Sequence, residues 1–123
     1  MPKVSYMSTK RADQEFLSDI REALRRIAAY VQGMTYEAFV QDTKTQDAVI
    51  RNLEIVGEAA KNLSEELRAA YPILPWKSMA GARDRLIHHY FGVNLDIVWQ
   101  IVTSELRHVA SALDAIEEDE GGG

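Results

Sequence analysis

Apolar residues recur at steps of three and four through most of this chain, and no stretch alternates apolar and polar residues over the length of a strand. That periodicity predicts an all-α fold. Leu17, Ile20, Leu24, Ile27 and Val31 make one stripe on a first helix from about Asp13 to Gln32, and Gly33 ends it. "TYEAFVQD" reads as a short helix with Thr35 able to cap its first turn. A longer helix begins near Thr43 or Lys44, where Val49, Leu53, Val56, Ala60 and Leu63 repeat the spacing and Ala48, Ile55 and Ala59 widen the apolar face. "SEEL" offers a cap and a further turn, and "YPILPW" breaks the path, because a proline restricts the residue before it.

Pro75 suits the first turn of the next helix, which is expected to run to about Tyr90 or Phe91 with Gly92 as a left-handed cap. Gly81 interrupts it and weakens a helix interior by about 1 kcal/mol relative to alanine. Asn94 is positioned to cap a last long helix carrying Leu95, Val98, Val102, Leu106, Val109, Leu113 and Ile116. Burying these stripes against one another predicts an up-and-down bundle of about four helices with a further short one. The expected organisation is one domain over 11–117, a flexible amino terminus over 1–10 and a solvated acidic and glycine tail over 118–123.

Length and composition agree with a single core. A chain of 123 residues buries roughly two thirds of its unfolded surface. With 46% hydrophobic and 27% charged residues it is a globular protein rather than a disordered one. No apolar run approaches the roughly 20 residues that span a bilayer, and "MPKVSYMSTK" lacks a signal peptide's apolar stretch, so no membrane partner and a cytoplasmic location are the expectation. There is no cysteine, which excludes a disulfide framework, a thiolate metal site and a cysteine nucleophile. The net charge of −5 is uneven: Asp114, Glu117, Glu118, Asp119 and Glu120 lie together with no base among them, and without those five the acids equal the 14 lysines and arginines. Within this neutral body, Lys77, Arg83 and Arg85 stand against Asp84 alone, with His88 and His89 alongside. Such a local basic patch is compatible with RNA.

The chemistry concentrates in "RDRLIHHYFG", residues 83–92. On a helix Asp84 and His88, four apart, are neighbours, so the carboxylate can accept a hydrogen bond from the imidazole and orient it. Arg83 and His88, five apart, differ by about 140° around an ideal helix axis. One straight helix therefore does not aim both at one atom; a distortion, a cleft or a second copy of the chain is required. Near a helix carboxyl terminus a histidine's positive form is favoured, and its ordinary pKa near 6.5 lets it exchange protons around neutral pH. Histidine and arginine together supply what RNA cleavage without a metal requires: proton transfer to and from ribose and leaving oxygens, and a guanidinium facing the charge that builds on the phosphate.

The same residues also have a plain structural reading. Basic groups in a last helical turn complement its dipole, and Tyr90 and Phe91 before a glycine are ordinary core anchors; periodicity and composition alone favour that reading. Elsewhere, Glu54 and Glu58 are candidate metal carboxylates, but with Arg51 and Lys61 beside them and no Glu-x-x-His they read as a salt-bridged face. His108, alone on the last helix, reads as solvated or interfacial. Neither a metal site nor a cofactor is expected, and no phosphate-binding glycine loop or nucleophile elbow is present.

The stretch Arg83, Asp84, "RLI", His88, His89 and Tyr90 resembles the motif of the HEPN domains, and within them the HepT-like toxins encoded beside a minimal nucleotidyltransferase antitoxin. The resemblance extends to "QDAVIRNLEIVGEAAKNLSEEL", "YPILPW" and "YFGVNLDIVWQIV", and so covers about Phe16 to Leu106. Three positions depart from the commonest pattern of that branch, which has methionine, asparagine and glutamate where this chain has Ala82, Asp84 and His89. The resemblance implies a helical homodimer with Arg83 and His88 of each chain lining an interface cleft, which would resolve the angular problem. It implies a metal-independent ribonuclease that leaves a cyclic phosphate, acting as the toxin of a type VII-like toxin-antitoxin pair. It also implies that the partner nucleotidyltransferase silences the toxin by adenylylating Tyr90 to O-AMP-tyrosine. The alternative is a non-catalytic helical subunit that partners a nucleotidyltransferase and positions nucleotide or substrate, with Arg83 binding phosphate and His88 structural.

Overall fold

The structure is a computed structural model that describes residues 2–81 and 94–121, with the side chains of 9–81 and 94–116. The described residues are helices, turns and short connections, as the periodicity predicts. The elements are α1 (Pro2–Val31), α2 (Tyr36–Gln41), α3 (Thr43–Lys61), α4 (Glu65–Ala70), α5 (Trp76–Ala80), α6 (Leu95–Gln100), a π-helical turn (Ile101–Glu105) and α7 (Leu106–Gly121). None of the described helices is long and apolar enough to cross a membrane.

Helix α1 starts well ahead of the expected Asp13, at Pro2. It buries Leu17, Ile20, Leu24 and Ile27 and ends where Gly33 takes a φ of +73°, a left-handed backbone that a side chain would disfavour. Thr35 caps α2 by accepting from the Ala38 N–H at 3.1 Å. Asp42 caps α3, its Oδ1 accepting from the Thr45 N–H at 3.0 Å and its Oδ2 from the Thr45 hydroxyl at 2.8 Å. The Gln46 amide then donates to the carbonyls of Phe39 and Val40, at 2.8 and 2.9 Å. The bond to Val40 satisfies a carbonyl at the end of the short helix, and the Phe39 carbonyl also accepts the Asp42 N–H at 3.2 Å.

Helix α3 packs against α1 on one side and α5 on another, and α7 returns along α1. Val49, Leu53, Val56, Ala60 and Leu63 join the α1 stripe, Phe39, Trp76, Met79, Val98, Leu106, Val109, Leu113 and Ile116 in one core. Each large aliphatic or aromatic side chain buried there stabilises the fold by about 1.5–3 kcal/mol. Between α1 and α7 the Arg21 guanidinium donates to the Leu113 carbonyl at 3.3 Å.

Among the described residues, two polar side chains are buried in this apolar interior, Asp13 and Asn52. Asp13 Oδ1 accepts from the Ser64 N–H at 2.9 Å and its Oδ2 from the Ser64 hydroxyl at 2.6 Å. Ser64 in turn caps α4 by accepting from the Leu67 N–H at 3.1 Å. A carboxylate on the first helix thus holds the cap of the fourth, and burying it is tolerable because both of its oxygens are paired.

The last long helix runs without a break from Leu95 to Gly121, but its winding changes part-way. Asn94 caps its first turn, accepting from the Asp96 N–H at 3.0 Å, but after Gln100 the chain widens into the π turn before α7. A π turn inserts extra length into a helix and rotates the segment before it against the segment after it. Here the short α6 faces α2 while α7 faces α1, so one apolar stripe serves two different neighbours.

Candidate functional site

All four residues that the sequence nominates, Arg83, Asp84, His88 and Tyr90, lie outside the described residues, as does the expected cap at Gly92. The structure describes the two ends that hold this stretch. Upstream, Pro75 stands just before α5 as its amino-terminal cap residue, and the Trp76 indole N–H donates to the Tyr71 carbonyl at 2.9 Å. Trp76 and Met79 are buried, so the helix leading into the motif is pinned to α3. Gly81 ends the described helix with its N–H bonded back to the Lys77 carbonyl at 3.0 Å, rather than sitting in a helix interior.

Downstream, Trp99 on α6 packs against two rings of α2. Its centroid lies 5.2 Å from that of Phe39 and 6.1 Å from that of Tyr36, both within the range of favourable tilted aromatic pairs. The Tyr36 phenol hydrogen-bonds Asp96 across the same junction, and that bond, with burial, raises the phenol's pKa above its usual value. The Thr103 hydroxyl donates to the Trp99 carbonyl at 2.6 Å, inside the π turn. The motif is therefore carried between two anchored ends, α5 on α3 and α6 on α2.

Beside the upstream anchor is an open groove of about 650 Å³ lined by Leu74, Pro75, Trp76, Lys77, Ser78 and Gly81. Its lining is mostly apolar, and Lys77 within that lining is exposed. Next to it Ile73 is 82% exposed, the largest exposure among the large apolar side chains described. From the sequence "YPILPW" reads only as a helix break; an isoleucine and a leucine set between two prolines, where no helical face can bury both, is the signal for an exposed apolar ledge.

The profile of the family described as Ribonuclease HepT-like matches residues 20–116, a span that includes both anchors and the whole of the stretch between them. The chain belongs to the ribonuclease HepT-like family. Relatives of this HepT-like chain agree. It is 46% identical to the candidate RNase MJ0127 of Methanocaldococcus jannaschii over 110 residues, which covers 89% of this chain and 91% of that one. It is 43% identical to the "Probable ribonuclease HepT" of Thermococcus cleftensis, covering 89% of this chain and 99% of that protein. A candidate RNase of Caldanaerobacter subterraneus subsp. tengcongensis is 37% identical over 89% of this chain and 98% of its own length. No solved structure matches the chain.

The other positions singled out in this HepT-like chain take ordinary structural places. Arg51 pairs with Glu54 at 3.7 Å on an exposed face. With Glu58, Asp19, Phe16, Ile55 and Ala59 these residues line a second groove, of about 320 Å³, between α1 and α3. Among the described residues, no group of three or more histidines or carboxylates is arranged to hold a metal ion. His108 is exposed on α7. On α1, Glu22 bridges Arg25 and Arg26, and those two guanidinium groups hold its carboxyl below the usual range.

Proposed function

We propose that this HepT-like protein is a metal-independent endoribonuclease, the toxin of a toxin-antitoxin pair whose nucleotidyltransferase partner silences it at Tyr90. The observation that carries the reading is the family match over residues 20–116, which takes in Arg83, His88 and Tyr90.

In this reading a His88 imidazole takes the proton of a ribose 2′-hydroxyl, and the 2′-oxygen attacks the adjacent phosphorus. The bond to the 5′-oxygen breaks, that oxygen receives a proton, and the products are a 2′,3′-cyclic phosphate and a 5′-hydroxyl. Acid–base help of this kind contributes about 10²–10⁴ in rate. Arg83 faces the non-bridging oxygens and offsets the charge that develops there, which is the part a metal ion plays in other nucleases. Asp84, four residues before His88, orients the imidazole. Because one helix separates Arg83 from His88 by about 140° around its axis, the reading includes a homodimer in which two copies of the pair line one cleft.

Tyr90 lies two residues beyond His88. Transfer of AMP to its phenol oxygen, with pyrophosphate leaving the nucleotide, puts bulk and negative charge where RNA phosphate would bind, and activity falls. Expression of the toxin with and without a cognate nucleotidyltransferase tests this assignment. The wild-type chain alone arrests growth, Arg83→Ala and His88→Ala do not, and Tyr90→Phe arrests growth even with the partner present. Silencing of Tyr90→Phe by a modification elsewhere rules out Tyr90 as the target, and full toxicity of either of the other variants removes the nuclease roles. A protein that binds the nucleotidyltransferase but is harmless alone is the non-catalytic subunit instead.

A further inference from the structure

We draw no further inference here: the strongest candidate, the buried carboxamide oxygen of Asn52 on α3, has no hydrogen-bond partner among the described residues, but neither groove reaches it, so nothing in the structure shows what donor it would take.

Discussion

The ring of Trp99 lies 5.2 Å from the ring of Phe39, centroid to centroid, and this contact joins α6, the first element described after the motif, to the short helix α2. Phe39 is 0% exposed, so its removal leaves a cavity that the surrounding helices cannot fill completely. Phe39→Ala is expected to lower unfolding stability by about 3–5 kcal/mol, read from urea denaturation. In a double-mutant cycle with Trp99→Leu, the coupling between the two rings is expected at about 0.5–1.5 kcal/mol. Additive losses would mean that the rings do not support one another.

Asp13 holds the cap of α4 through two hydrogen bonds to Ser64, 51 residues away in sequence. Asp13→Ala leaves the Ser64 N–H without its acceptor in a largely buried position, and the expected loss is about 1–3 kcal/mol. Ser64→Ala removes the hydroxyl that links Asp13 to the Leu67 N–H, so the two substitutions together should cost less than their sum. Denaturation midpoints of the two single variants and the double variant check this. Full additivity would contradict the linkage.

Asp42 gives the fold a defined dependence on acid. Its carboxyl is held below its ordinary value of 3.8, first by the backbone hydrogen bond from Thr45 and then by the Thr45 hydroxyl. A lowered folded-state pKa means that the folded chain favours the ionised carboxylate. The stability it contributes is therefore present above 3.8 and is lost as pH falls through the lower folded value. Wild type is expected to melt above Asp42→Asn at about pH 7, and the gap is expected to narrow towards about pH 2 as the Asp42 carboxyl takes up its proton. A gap that is the same at both pH values would contradict the assignment.

How far the fold is legible in the sequence depends on where the deciding partner lies. Gly33 and the caps Thr35, Ser64 and Asn94 can be read directly, because a turn or cap is decided by residues within three or four positions. The stripes on α1 and α3 are equally plain, since burial there follows one helical face. Asp13 is not legible as a buried residue, because its partner Ser64 lies at the start of another helix. The π turn is hidden for a different reason. Val98, Val102, Leu106 and Val109 keep steps of four and three straight through it, so the spacing describes a regular helix; contacts of α6 with α2 and of α7 with α1 are what separate the two halves. The chemistry of Arg83, His88 and Tyr90 comes from residue types and family resemblance, whereas the groove at Leu74 to Gly81 arises from how the "YPILPW" turn meets α5, which periodicity does not describe.

Cleavage of RNA by Arg83 and His88 without a metal is the assignment on which the proposed function stands. Purified protein incubated with single-stranded RNA in excess chelator puts it to the test, with product ends analysed and Arg83→Ala and His88→Ala run alongside. The wild type is expected to cleave and to leave 2′,3′-cyclic phosphate ends, with the rate reduced by about 10²–10⁴ in either variant. Cleavage that the chelator abolishes, or that persists at the wild-type rate in either variant, would contradict the assignment.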